Sequence, residues 1–448
     1  MTLPDLWATH AEYAPDKDAV VCGTARRTWR DFDAGMNRVA NALIQRGISK
    51  GSNVAVLMGT AVETLEVIFG IVKAGACVVP LSTLLTGDQL LHLIRDADCR
   101  AAFVSAELRD RVENGRGSVP TIGPDGWIAH GFTGADWTPM PALLAGASSA
   151  RPPVRYAQTD PFNIIYSSGT TGVPKGILQT HRARLHWSFS NAIEMGFTSD
   201  TRALTTTALS SNGTWLMVLP ALFAGGTVHA LEAFSPDAFL DTVAREKITH
   251  TFMVPVQYMA VLGSPRLAKA DLASLRTMLC AGSPLRRDVK REVLARLGAG
   301  LYELYGYSEG FATMLKPGQH EAKFDSVGTP VLGFEMRILD DEGRELPRGT
   351  PGEIAGYGAG MMAGYYKRPE ETEKLIWRDE RGRTFLRSGD IGVLDADGYL
   401  TLVDRKKDMI ISGGLNVFPT DIEAVVAQHP DVGDVTVIGI PDERWGET

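Results

Sequence analysis

The stretch Tyr166-Ser167-Ser168-Gly169-Thr170-Thr171-Gly172-Val173-Pro174-Lys175-Gly176 gathers hydroxyls, glycines and one lysine in a single short run. Ser167, Ser168, Thr170 and Thr171 supply hydroxyl donors. Gly169 and Gly172 let the backbone reach positive φ and approach a ligand closely. Successive N–H groups in such a turn form an anion-binding concavity, and Lys175 adds a positive charge on a flexible stem. Together these groups suit a polyphosphate. The run is not a Walker loop, which needs Gly-Lys followed by Ser or Thr at a helix start. Here Lys175 follows Pro174 and precedes Gly176, and Ile177-Leu178 reads as a strand. The apolar run Phe162-Asn163-Ile164-Ile165-Tyr166 leads in as a buried strand. The pattern therefore predicts a flap between two strands. A lone Gly-Thr-Thr-Gly would be an ordinary hairpin tip, but here a whole set of suitable positions coincides.

Such a loop must be carried by a larger frame. The chain has 448 residues, too many for one compact core, so two or more domains are expected. Helical periodicity runs from Asp31 to Arg46 and stops at Gly47. Val54–Met58, Cys77–Val79 and Ala101–Val104 then read as strands, separated by helices at Ala61–Lys73 and Asp88–Arg95. This β-α-β order implies a parallel sheet covered by helices. Residues from Glu113 to Arg155 are rich in Gly, Pro, Ala and Ser and read as irregular. After the loop, His181–Ile193 reads as a helix with Leu185, Phe189, Ala192 and Ile193 on one face, and His181 and His186 are assigned no chemistry. A second doubly wound unit follows. Its strands are Ala203–Thr207, Thr227–Ala230, Thr249–Val254, Arg276–Cys280 and Leu301–Leu304, and its helices are Trp215–Phe223, Pro236–Glu246 and Leu285–Leu297. Ligands in such sheets sit at the carboxyl ends of strands. From Asp325 to Asp404 short β-like runs alternate with Gly- and Asp-rich turns.

The run Ser-Ser-Gly-Thr-Thr-Gly-Val-Pro-Lys-Gly resembles the phosphate loop of the adenylate-forming superfamily, which includes acyl- and aryl-CoA synthetases, peptide-synthetase adenylation domains and luciferases. Further segments match in order. Ala281-Gly282-Ser283-Pro284-Leu285 resembles the turn whose backbone lines adenine in that family. Tyr302-Glu303-Leu304-Tyr305-Gly306-Tyr307-Ser308-Glu309 resembles the segment that stacks a tyrosine on adenine and holds Mg²⁺ through a glutamate. Tyr305 offers a π face and Glu309 a hard oxygen ligand, with Ser308 where many relatives carry threonine. Met361–Tyr366 with Pro369-Glu370 matches a core segment and is assigned structure only. In Arg387-Ser388-Gly389-Asp390 the aspartate matches the acceptor of the ribose hydroxyls, a role for which a carboxylate is suited. Asp404-Arg405-Lys406-Lys407 resembles the interdomain hinge, with Arg405 toward the nucleotide and Lys407 at the pivot, and Gly413-Gly414 falls in the glycine loop that helps form the CoA tunnel.

The resemblance implies an α/β fold: a large N-terminal domain, residues 1–404, of two doubly wound subdomains plus a small β-rich one, then a truncated α+β C-terminal domain, residues 405–448. It implies an ATP-dependent carboxylic acid:CoA ligase acting through acyl-AMP, with ATP, Mg²⁺ and coenzyme A as cofactors. Lys175, Thr170 and Glu309 are the expected catalytic residues. The expected nucleotide and CoA contacts are Ser167, Ser168, Gly169, Thr171, Gly172, Gly282, Ser283, Pro284, Tyr302, Tyr305, Gly306, Ser308, Asp390, Arg405, Gly413 and Gly414. The acyl pocket is expected at Ser210, Asn212, Gly213, Trp215 and Val256, with Val254–Tyr258 read as a turn. These segments are apolar or neutral, which suits a hydrophobic fatty or aromatic acid.

Two departures bear on this. Ser210 stands where histidine is common, and no acidic residue is placed to hold a substrate ammonium, which disfavours amino acids. The chain also ends at Thr448, before the family's C-terminal lysine, so adenylation by this chain is expected to be impaired relative to a form with the complete C-terminal domain. The rival readings are an adenylate-forming enzyme with an amine or carrier-protein acceptor, and a non-catalytic nucleotide-binding relative. Composition narrows the rest. Asp and Glu total 53 against 45 Lys and Arg, a formal charge of −8, which argues against nonspecific nucleic-acid binding. The four cysteines, Cys22, Cys77, Cys99 and Cys280, have no metal-ligand spacing and read as reduced core thiols of a cytoplasmic protein. No signal peptide or transmembrane segment is evident. The expected partner is a small carboxylic acid, and the oligomeric state stays open, a homodimer included.

Overall fold

The computed structural model describes residues 1–167, 174–298, 300–406, 410–412, 415–417, 419–426, 429, 431–432, 435–442 and 446–448. Two compact units emerge. The first comprises Met1–Tyr302, Ser308–Gly310 and Ala359–Thr372, and the second Glu303–Tyr307, Phe311–Gly358 and Glu373–Thr448.

The first unit holds two sheets. One has the strand order Gly364–Tyr365, Lys175–Thr180, Pro161–Ser167, Cys77–Pro80, Asn53–Leu57, Cys99–Ser105, Trp127–His130, Thr138–Pro139. Its centre is parallel. Asn53-Val-Ala-Val-Leu57 is buried at every position, as a parallel strand covered on both faces requires. The strands expected at 54–58, 77–79 and 101–104 are found with small shifts of boundary. The interval 113–155 differs from expectation, because strands Trp127–His130 and Thr138–Pro139 extend the sheet and a short helix, Met140–Leu144, follows. Trp127, Ile128 and Ala129 are buried, but a run this short shows no periodicity among its Gly and Pro neighbours. In the other sheet Thr277–Cys280, His250–Met253, Arg202–Thr205, Thr227–Ala230 and Asp18–Cys22 lie parallel, with Ala25–Thr28 antiparallel at the edge. This confirms the α/β doubly wound reading.

Helices cover these sheets. Trp29–Gln45 starts at Thr28, whose hydroxyl accepts from the Asp31 amide at 3.2 Å. It buries Phe32, Met36, Val39 and Leu43. Val62–Lys73 is almost wholly buried, and Phe69 within it meets Trp7 at 4.9 Å and Trp215 at 6.1 Å between ring centroids. The Val254–Tyr258 turn is not found. Pro255–Leu262 is a helix, with Pro255 at its first position, where the missing N–H costs nothing. The helix His181–Met195 is found, but its buried face is not the apolar stripe expected. Arg184, Ser188 and Asn191 are buried while Ile193 is exposed. Ser188 donates to the Arg184 carbonyl at 2.6 Å and Asn191 to the Trp187 carbonyl at 2.8 Å, so these polar side chains satisfy their donors on their own helix.

The second unit is β-rich. Phe334–Leu339, Gly352–Gly358, Thr384–Leu394 and Ile376–Arg378 form an antiparallel sheet, and Leu400–Arg405 pairs with Thr384–Leu394. Residues Glu303–Gly306 pair antiparallel with Ala312–Leu315. Toward the end, strands at 410–412, 415–417, 441–442 and 446–447 form a small sheet beside helix Pro419–Val426. All four cysteines are buried, and none is in a disulfide among the described residues. Among the described residues no helix is long and apolar enough to cross a membrane.

A buried ionic centre ties the second sheet of the first unit to its neighbours. The Glu246 carboxylate accepts from Arg26 at 2.7 Å and Arg245 at 3.1 Å and pairs with Arg202 at 3.3 Å. Burial alone would raise its pKa, but the hydrogen bonds from Arg26 and Arg245 outweigh this and hold it down at about 2, below the usual 4.5. A depressed carboxyl stabilises the fold above its unfolded pKa, and that contribution is lost as pH falls from 4.5 toward 2. Glu246→Gln is expected to lower the unfolding free energy by about 2–4 kcal/mol near pH 7. Urea unfolding of both proteins at descending pH checks this, and the difference between them should shrink through the same window.

Candidate functional site

Strands Pro161–Ser167 and Lys175–Thr180 form an antiparallel hairpin in which Tyr166 faces Gly176 and Ser167 faces Lys175. Both ends of the hydroxyl-rich loop are therefore fixed by ladder pairing, as the flap reading expects. Ser168, Gly169, Thr170, Thr171 and Gly172 lie outside the described residues. Strand Gly364–Tyr365 adds to the far edge of the hairpin, and the Tyr366 amide donates to the Gly176 carbonyl at 2.7 Å.

This third strand builds a polar cluster around Lys175. The Lys175 ammonium pairs with Glu371 at 2.8 Å and lies 5.0 Å from the Tyr365 ring centroid. The Tyr365 hydroxyl donates to Glu309 Oε1. Burial, and then the adjacent Glu309 charge, push the Tyr365 phenol well above its usual range. Glu309 is held from behind too, since its carbonyl accepts from the Met362 amide at 2.6 Å. Tyr365 and Glu371 were not foreseen as site residues. The only sequence signal was an aromatic pair just before Pro369-Glu370-Glu371, in a segment read as structural.

In the second unit, antiparallel pairing sets Asp390 opposite Arg405. Asp390 accepts from the Tyr305 hydroxyl at 2.8 Å, and its other oxygen is 3.3 Å from Arg405 Nε. Burial and the Asp390 charge push the Tyr305 phenol far up, so it stays a donor. Ser388 braces the turn by accepting from the Asp390 amide at 3.0 Å and donating to the Ile354 carbonyl at 2.9 Å. Three sequence-predicted residues thus meet at one point of this unit. Gly306 is exposed in the same strand as Tyr305. Lys407, Gly413 and Gly414 lie outside the described residues.

The remaining expected residues belong to the first unit. Gly282 follows strand Thr277–Cys280 at φ +101°, where a side chain would be strained, and Ser283 and Pro284 beside it are exposed. Tyr302 and Ser308 are half-buried.

A cavity of about 480 Å³ opens in the first unit at the carboxyl ends of strands from both sheets. Its walls include Val56, Ile68, Leu81, Thr206, Leu209, Ser210 and Leu231. Of the expected acyl-pocket residues, Ser210 lines it and the others do not. Trp215 is buried behind the wall, its indole N–H donating to the Leu209 carbonyl at 2.8 Å. Gly213 packs so closely that an added Cβ would lie 2.8 Å from the Phe252 ring. Asn212 accepts from Arg184 at 2.8 Å. Val256, on the first turn of its helix, is 66% exposed. His181 is buried between Tyr156 and Phe162, and burial pushes it down to about 4, in keeping with a structural place.

The family model described as AMP-binding enzyme matches residues 7–366. Over 442 residues the chain is 35% identical to a feruloyl-CoA synthase of an Amycolatopsis species, covering 98% of this chain and 85% of the relative. It is 33% identical over 460 residues to an indoleacetate–CoA ligase of Aromatoleum aromaticum, covering 100% and 87%. Among solved structures, ATP-bound MatB from Rhodopseudomonas palustris superposes with a TM-score of 0.89 at 30% identity, covering 100% of this chain and 87% of that one.

The contact between Tyr365 and Glu309 has a spectroscopic consequence. In protein carrying ring-labelled tyrosine, the Tyr365 resonance should show no ionisation near pH 10, where free tyrosine titrates. Glu309→Gln removes the neighbouring charge, and the Tyr365 ionisation should then move to lower pH.

Proposed function

The chain belongs to the AMP-binding enzyme family, and from that membership we infer that it is an ATP-dependent carboxylic acid:CoA ligase acting through an acyl-AMP intermediate. The acid's carboxylate attacks the α-phosphorus of ATP, the α–β phosphoanhydride bond breaks, and pyrophosphate leaves. The CoA thiol then attacks the acyl-AMP carbonyl, and AMP leaves with the electron pair of the acyl–phosphate bond.

The observation that carries the assignment of roles is the hairpin register. With Ser167 paired to Lys175, the loop between them is pinned at both ends and the lysine stands at its exit. Lys175 and the loop hydroxyls, Thr170 among them, are the groups that would screen the charge developing on the departing phosphates. Glu309 is the residue that would hold Mg²⁺. It is a single carboxylate with one oxygen engaged by Tyr365, and Mg²⁺ beside phosphates needs only one or two carboxylates. Bound there, the ion would neutralise phosphate charge. Asp390, with Tyr305 and Arg405 ordered around it, is the acceptor for the ribose diol, and the Tyr305 ring is the surface for adenine. By the resemblance, Gly282, Ser283 and Pro284 of the first unit are backbone expected to line a nucleotide base. By the same resemblance, residues 405–448, which cluster with the second unit here, would act as the start of a C-terminal domain pivoting between the two half-reactions, with Lys407 as the hinge and Gly413-Gly414 toward CoA. The cavity beside Ser210 suits the acid, its size lying within the range of small-molecule sites.

Pyrophosphate release with a panel of fatty and aromatic acids, each with and without CoA, tests this. Acid-dependent release with a CoA thioester detected by mass spectrometry is expected. Acid-dependent release with no thioester would assign another acceptor, and ATP binding with no release for any acid would overturn the enzymatic reading. Asp390→Ala should raise the KM for ATP by about 10- to 100-fold, as loss of a charge-assisted hydrogen bond does, while the KM for the acid stays near that of the parent.

A further inference from the structure

Arg184 is the most anomalous charge in the first unit. It sits on the helix His181–Met195 at 3% exposure. Buried cations are ordinarily paired with a carboxylate, because leaving water without compensation is costly. Lys73 follows that rule by pairing with Asp33. Arg184 does not. Its Nε donates to Asn163 Oδ1 at 2.7 Å and its Nη2 to Asn212 Oδ1 at 2.8 Å, both neutral amides. Its guanidinium carbon lies 5.0 Å from the Trp215 ring centroid. No carboxylate contacts it among the described residues. Burial pushes its pKa down to about 9, so it is still a cation near neutrality.

The partners explain what this cation holds. Asn163 lies on the strand that runs into the phosphate loop. Asn212 and Trp215 flank the turn at the cavity wall. Trp215 donates to the Leu209 carbonyl at 2.8 Å, and Thr214 to the Ala208 carbonyl at 2.7 Å. Ala208, Leu209 and Ser210 are themselves wall residues of the 480 Å³ cavity. One rigid fork therefore joins the strand entering the loop to the segment that shapes the cavity. Only arginine can reach two amide oxygens and lay a plane against an indole at once.

We propose that Arg184 is a positioning residue that fixes the Ala208–Trp215 wall and so sets which carboxylic acids the cavity accepts. The inference rests on the ligase reading above. It adds to the Ser210 departure a residue that does not itself line the pocket. The acid is selected by a wall held from behind by a buried cation, and the same side chain tethers that wall to the nucleotide hairpin.

The test compares wild type, Arg184→Met, Arg184→Lys and Asn212→Ala in steady-state pyrophosphate release, using acids graded in size. Arg184→Met is expected to raise the KM for the preferred acid about tenfold and to flatten the ranking among acids, with the KM for ATP changed less than twofold. Asn212→Ala, at a half-buried turn position, removes one arm of the fork without emptying the core. It should shift acid selectivity in the same direction, and the double variant should be less than additive. Arg184→Lys keeps the charge but not the fork, and should not restore the wild-type ranking of acids. The proposal is overturned if the ranking of acids is unchanged in both Arg184→Met and Asn212→Ala, or if the KM values for acid and ATP rise together. Wild type that releases pyrophosphate with no acid at all would instead defeat the ligase reading, a separate result.

Discussion

Everything in the first unit that could handle phosphate depends on one backbone constraint, the antiparallel pairing of Pro161–Ser167 with Lys175–Thr180. A hairpin fixes two ends of a loop with hydrogen bonds that a substitution within the loop does not touch. It also presents an outer edge, and here strand Gly364–Tyr365 occupies it. That addition brings Tyr365 and Glu371, far away in sequence, against Lys175 and Glu309. The hairpin thus acts as a template, its inner edge joining the parallel sheet at Val78 and Asn163 and its outer edge collecting the charged groups. A slip of one residue would turn Lys175 to the other face and dissolve the cluster.

The second unit reaches a comparable result with side chains. Asp390 and Arg405 are register partners across two strands, and Tyr305 arrives from a different pair of strands to donate to the same carboxylate. A carboxylate held on both oxygens loses little rotational freedom when a further donor arrives, and such preorganisation is what makes a binding group effective. Arg387, on strand Thr384–Leu394, is anchored to Glu353 at 3.1 Å, and Lys406 joins the same carboxylate at 3.3 Å. The loop that presents Asp390 is thereby braced by charges on either side of it.

Much of this was legible in the sequence, and the parts that were not share a cause. The strands were readable because parallel strands are continuous apolar runs, and the flap because glycines, hydroxyls and a lysine crowded between two such runs. Asp390, Tyr305 and Arg405 were readable from motif resemblance, and the structure brings them together. Residues whose role depends on contact across long sequence separation left no trace. Tyr365 fell in a segment assigned structure only, and Glu371 drew no reading, because nothing local says that strand Gly364–Tyr365 pairs with Ile177 and Leu178. Trp127–His130 was lost among turn formers. The helix 181–195 misled because amphipathic periodicity assumes that polar means exposed. Its buried face mixes Ala183, Trp187, Ala192 and Met195 with polar residues, of which Ser188 and Asn191 bond to their own backbone, and the apolar Ile193 points outward.

The buried charges of the first unit divide by what they cost. Glu246 and Lys73 sit against opposite charges, so removing either partner would strand an ion, and both pairs are explained by the fold alone. Arg184 recovers none of its desolvation from a carboxylate. An apolar side chain there would spare that desolvation, although it would leave the Oδ1 of buried Asn163 without its donor. What an apolar residue cannot do is hold Asn163 and Asn212 at a set spacing, and the wall at Leu209 hangs on that spacing through Trp215. The stability of the core and the shape of the cavity therefore make opposing demands on residue 184, and the residue found there satisfies the cavity.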